Sequence, residues 1–273
     1  MGDDAIRPVN AHVRITPKHD STNPFSSYVN LGTSGHPLAT DDPVRTDVLP
    51  ADDALWDEGE MTPSEPLYVS SPTNVRAGPF ARTCQATHLL GRLVRLLNDQ
   101  LLDAPLRFTE ALQLHRTLRA FANLLPDEVR QSPARFGTPL ALCYGALIHL
   151  CDPFACTESN RGEHTVEETE MQTTAIAGLK STAADVLQFS HLVRMTMATN
   201  PSATSPFIGD CLYQAAATYA WLVHESGARD MVESYHILKD VLATMNCRWA
   251  VAGQYLDILN TGRETLYDNN PLL

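Results

Sequence analysis

Apolar residues recur at three- and four-residue steps through most of the chain from Phe80 onward, and this is the period of an amphipathic helix. The first stripe runs through Ala86, Leu89, Leu90, Leu93, Leu96 and Leu97, with Arg82, Arg92 and Arg95 on the opposite face. Pro105 suits the first turn of a second helix, whose stripe of Phe108, Ala111, Leu112, His115, Leu118, Ala122 and Leu125 stops at Pro126. Thr138 and Pro139 read as the cap and first residue of a third. The residues that follow are almost all apolar, which predicts a helix at the centre of the core. Met171, Ala175, Leu179, Val186, Phe189 and Val193 mark a long fourth helix, with Glu167, Glu168 and Glu170 complementing its positive end. Ser205 and Pro206 cap and start a fifth, lined by Ile208, Cys211, Leu212, Ala215, Tyr219, Leu222 and Val223 and ended by Gly227. Asp230 with Glu233 has the spacing of a capping box ahead of Met231, Tyr235, Leu238, Val241, Leu242 and Met245. Trp249, Ala252, Tyr255, Leu256 and Leu259 form a last stripe. No strand series or repeat interrupts this order. The expected fold is all-α, an irregular bundle of six or seven helices.

Before residue 79 the pattern is absent. Residues 1–78 hold half of the eighteen prolines and no sustained periodicity, and are expected to be extended or partly disordered. The expected organisation is this segment, a helical domain over 79–262 and a tail over 263–273. Within the segment, Asp41 to Glu65 carries nine acids against Arg45 alone. Val44, Val48, Leu49, Leu55, Trp56 and Met61 lie among them, the mixture found in amphipathic activation segments. The plainer reading is a solvated stretch pinned to the domain by its few apolar residues.

Charge narrows the range of functions. A net charge of −12 in 273 residues gives no whole-surface attraction to phosphate, so direct DNA binding is not expected. Only Arg76 to Arg135 is net basic, with nine basic residues and five acidic, and a partner with an acidic surface would find its site there. The longest uncharged apolar run, Phe136 to Cys151, is sixteen residues, short of the roughly 20 needed to cross a bilayer. The opening Met1-Gly2-Asp3-Asp4 has neither the basic nor the apolar part of a secretion signal. A nuclear or cytoplasmic location is expected, with no membrane partner.

Motifs for chemistry are few. There is no G-x-S-x-G, H-E-x-x-H, P-loop or G-x-G-x-x-G, and His224-Glu225 lacks a second histidine because position 228 is alanine. Five of the six cysteines, Cys84, Cys143, Cys151, Cys211 and Cys247, lie in apolar stretches and read mostly as reduced core thiols. The nearest approach to a metal set is His149, Cys151 and Cys156 with His164 beyond, but the first two fall in the apolar helix. The chain is therefore expected not to be an enzyme, with no catalytic, cofactor-binding, metal or DNA-binding residue and no cofactor of its own.

A resemblance is carried by particular stretches. Leu49 to Gly59 (LPADDALWDEG) resembles the acidic, Trp-containing segment of the fungal-specific transcription factor domain, the middle homology or regulatory region of fungal zinc-cluster transcription factors. Gly78 to Arg92 and Phe108 to Pro126 are similar to the two helices that follow it in that family, and Tyr213 to Trp221 with Tyr235 to Tyr255 to its closing helices. The match runs in order from about residue 40 to the C-terminus, so the chain looks like the C-terminal part of such a domain.

The resemblance implies a nuclear regulatory domain that modulates transcription by RNA polymerase II. Its implied partners are co-regulators or other family members, with a small-molecule effector possible in a hydrophobic pocket lined by Leu140 to Leu150, Trp221 and Trp249. Zinc in the family belongs to an N-terminal C-x2-C-x6-C module, and no such spacing occurs here. The alternative is a helical interaction scaffold or small-molecule sensor unrelated to transcription.

Overall fold

The computed structural model describes residues 47–59, 77–99, 101–155, 165–226 and 229–267, with side chains described as far as Thr261 except at Ser226 and Arg229. Within these residues the protein is an irregular all-α bundle without strands. A six-residue helix α1 (Asp53–Glu58) precedes α2 (Pro79–Asn98), α3 (Ala104–Ala122), the short α4 (Pro126–Gln131), α5 (Pro133–Ala155) and α6 (Val166–Thr199). A single 3₁₀ turn (Pro201–Ala203) leads to α7 (Ile208–Ser226), α8 (Arg229–Asn246) and α9 (Ala250–Tyr267).

The apolar stripes become the buried faces. Leu90, Leu93, Leu118, Met171, Ala175, Ala183, Val186, Leu212, Leu238 and Leu242 are each at most 1 % exposed. The central position belongs to α5, which packs against α2, α3, α4, α6 and α7. Every residue from Pro139 to Cys151 on this helix is buried except His149. Such all-round burial explains its continuous apolar run: a helix with neighbours on every side has no wet face to mark with polar residues.

The longest helix is α6, with 34 residues and a length of about 50 Å. Thr165 caps its start by accepting a hydrogen bond from the Glu168 N–H at 3.2 Å. It packs along both α5 and α3, and the close approach is made at Gly178. A Cβ there would stand 2.8 Å from the Cys151 Sγ and 3.0 Å from the His115 Nε2, so the helix carries hydrogen where its neighbours press in.

Several local expectations are corrected. The third long helix starts at Pro133, after Ser132, and Pro139 lies inside it. The proline forfeits only the hydrogen bond to the carbonyl of Arg135, an exposed residue whose oxygen water can satisfy. Pro126 does not merely stop the second stripe; it is the first residue of α4, while α3 ends at Ala122. Ser205 does cap, accepting from the Phe207 N–H at 3.4 Å, although regular helix begins at Ile208. Asp230 lies within α8, which starts at Arg229, so it complements the helix dipole and is not the cap residue. The division placed at 262/263 falls within α9, which continues to Tyr267. Gly227 lies outside the described residues.

The segment before α2 also differs from a simple extended tail. Asp52 caps α1 through a 3.0 Å hydrogen bond from the Ala54 N–H, and Leu49 is only 2 % exposed. Asp52 lies against Gly78, the cap of α2, and Asp53 faces Arg135 of α5 at 3.6 Å. The acidic segment therefore meets the domain at Asp52 and Asp53, next to the buried Leu49. Trp56, by contrast, is 75 % exposed. The rest of residues 1–78 lies outside the described residues, apart from Ala77 and Gly78.

Candidate functional site

Of the four ligand candidates, His149 and Cys151 do not come together. His149 and Cys151 are two positions apart on α5, which places them on different sides of the helix. His149 faces Asp210 of α7, whereas Cys151 faces Gly178 of α6. Cys156 and His164 lie outside the described residues. Among the described residues, no three His, Cys, Asp or Glu side chains are placed to share a metal ion.

The pocket residues are distributed in the same way. Leu140 to Leu150 are occupied with neighbouring helices, and Trp221 packs half-buried against the core. Trp249 is a tie: its indole Nε1–H donates to the Thr204 carbonyl at 2.8 Å, and the Arg248 guanidinium lies 4.8 Å from its ring centre. A void of about 10 Å³ lies between Pro133, Phe189, Val193, Thr196, Ala203, Thr204 and Ile208. That is the room of one water, against roughly 300–1,000 Å³ for a metabolite pocket.

Much of the basic stretch is engaged inside the molecule. Arg82 pairs with Glu128 at 2.8 Å, Arg116 with Glu170 at 2.9 Å, Arg119 with Asp185 at 2.6 Å and Arg130 with Asp127 at 2.5 Å. Arg119 also donates to the Ser181 and Thr182 hydroxyls. Arg82, expected on the polar face, is 8 % exposed, because Glu128 on α4 meets it with a carboxylate. Arg82, Arg116 and Arg119 thus tie helices together, while Arg130 pairs within α4. Glu170 belongs to this pairing, which leaves Glu167 and Glu168 as the acids of the first turn of α6.

The cysteines divide by position. Cys143, Cys151 and Cys211 are buried, and burial lifts all three thiols far from thiolate, Cys151 to about 12. Cys247, read as apolar from its surroundings, is exposed because it lies in the turn between α8 and α9. In native alkylation with peptide mapping, Cys247 should react within minutes at neutral pH, with Cys143, Cys151 and Cys211 protected until the chain is unfolded. Rapid labelling of Cys143 would contradict the packing around α5.

The polar cluster that the sequence reading missed joins α5 to α7. His149 Nε2 stands 3.5 Å from Asp210 Oδ2, with the two side chains 23 % and 11 % exposed. Gly145, one turn before His149, makes the room: a Cβ there would be 2.9 Å from the same oxygen. Gln214 Nε2 reaches the other Asp210 oxygen at 3.5 Å. Burial pushes the His149 ring toward the neutral form, but the hydrogen bond and charge of Asp210, with the charge of Asp152, outweigh it and raise its pKa above 6.5. Asp152 itself is raised by burial, against the pull of His149. Tyr213, one turn beyond Asp210, stacks on Tyr255 of α9 at 4.8 Å, and burial and then the charges of Asp210 and Asp152 keep its phenol protonated.

One signal pointed to this cluster. Asp210 is the lone charged residue between Asn200 and Val223, and a carboxylate in such an apolar run requires a partner.

No family model, curated protein or solved structure matches the chain. Among the described residues no helix is long and apolar enough to cross a membrane.

Proposed function

We propose that the chain is a regulatory, effector domain of the fungal zinc-cluster transcription factor type, acting on transcription by RNA polymerase II through contact with other proteins. The observation that carries the reading is the seating of its acidic segment. Leu49 is buried and Asp53 faces Arg135, while Trp56, Asp57 and Glu58 are exposed on α1. An aromatic residue among acids is thereby presented on a short helix seated on the helical body, so less backbone ordering is needed to bind a basic, apolar-lined co-regulator surface. The stretches that carry the resemblance are helical, forming α1, most of α2 and α3, and parts of α7 to α9.

The test is to join the full chain to an unrelated DNA-binding domain and measure reporter transcription in nuclei. A several-fold change in reporter output is expected. It should be lost when Trp56→Ala is combined with Asp57→Asn and Glu58→Gln, while the helical circular dichroism is retained. A silent reporter with the chain excluded from nuclei would instead favour an interaction scaffold outside transcription.

A further inference from the structure

A charge pair mostly withdrawn from water is costly unless its geometry is supported, and the half-buried pair between α5 and α7 is supported on several sides. Gly145 leaves space for the Asp210 carboxylate, Gln214 holds its second oxygen, and Asp152 adds negative charge from the helix that carries His149. The pair also lies at the meeting point of three helices. Gly209, next to Asp210, is in contact range of the Tyr255 ring on α9, and Tyr213 stacks on that ring.

We infer that His149 and Asp210 form a proton-operated tie between α5 and α7, closed when the imidazole is protonated and slackened when it is neutral. Closed, the tie is an ion pair that fixes the first turns of α7 against α5. With a neutral ring it is reduced to a long polar contact, and Asp210 is left as a nearly buried carboxylate with weaker compensation. The first turns of α7 are then the part that gives, and the Tyr213 to Tyr255 stack moves with them.

The groups that act on the ring are Asp210 from α7 and Asp152 from α5 itself. Tyr213 of α7 stays neutral near pH 7, and Tyr255 is what α9 contributes to the cluster. On the other helices packed on α5, Arg82 of α2 pairs with Glu128 of α4, and Arg116 and Arg119 of α3 pair with Glu170 and Asp185 of α6. His115 of α3 lies at Gly178, where burial and then the charges of Arg119 and Arg116 lower its pKa and favour the neutral ring.

The sign follows from linkage. A histidine whose folded pKa lies above the unfolded value adds stability that is fully present below about pH 6.5 and is lost as pH rises through the folded value. The experiment uses the full chain in two ways. An NMR titration of the His149 ring in the unaltered protein should give a midpoint above 6.5; a midpoint at or below it overturns the tie. Hydrogen exchange over Ile208 to Tyr213, corrected for intrinsic rates, should lose protection as pH rises through that midpoint. That pH dependence should vanish in His149→Gln and in Asp210→Asn. An unchanged loss in a folded His149→Gln variant would overturn the proposal, because the response would then come from another group.

Discussion

Leu147→Ala should lower stability by about 2–5 kcal/mol, the largest single loss expected in this bundle. Leu147 is 0 % exposed, on the helix that touches five others. A cavity opened there is lined by rigid, mutually packed side chains, so little collapse is available to fill it. For a domain of this size the melting temperature should fall by roughly 4–20 °C. Thermal unfolding by circular dichroism measures the effect. A loss below about 1 kcal/mol would mean that α5 is not the common packing partner.

The second large effect is expected at the pair between α2 and α4. The Arg82 side chain is 9 % exposed, with Nε and Nη2 both directed to the Glu128 carboxylate, which is 26 % exposed. Glu128→Ala takes from a buried guanidinium the carboxylate that its Nε and Nη2 reach and should cost about 2–4 kcal/mol, somewhat less than for a fully enclosed pair because water reaches the glutamate side. The converse substitution separates charge from geometry. Arg82→Met with Glu128→Leu removes both charges and should return stability to within about 1 kcal/mol of the original chain. If the double variant is as unstable as the single one, the side chains matter through their packing and not through the pair.

The apolar stripes show how far sequence reaches. Helices α2, α3, α6, α7 and α8 lie where periodicity puts them, because a stripe three or four residues apart has one solution: a face turned to the core. The same rule contained the correction at Arg82. Position 82 is one turn before Ala86 and so belongs to the buried stripe, but its charge assigned it to solvent. Only the fold supplied Glu128, 46 residues away.

Helix starts were less legible. Thr138-Pro139 and Ser132-Pro133 have the same chemistry, and the choice between them rests on packing around α5 that no local signal encodes. The candidate site was legible in its parts but not in its assembly. His149 was visible as a polar residue in an apolar helix. Asp210 was visible as a single charge, but their meeting depends on the α5 to α7 crossing and on a glycine at 145.

The seating of Leu49 moves the border of the fold away from the border of the composition. The change of amino-acid usage near residue 78 invites trimming there, and proteolysis or a splice junction at that point would look harmless from sequence. It would in fact take away Leu49, the cap at Asp52 and the acid facing Arg135 in one piece, uncovering the start of α2. A chain begun at Pro79 should therefore be stickier and less soluble than the full chain, and a fragment that keeps these contacts has to begin upstream of Leu49.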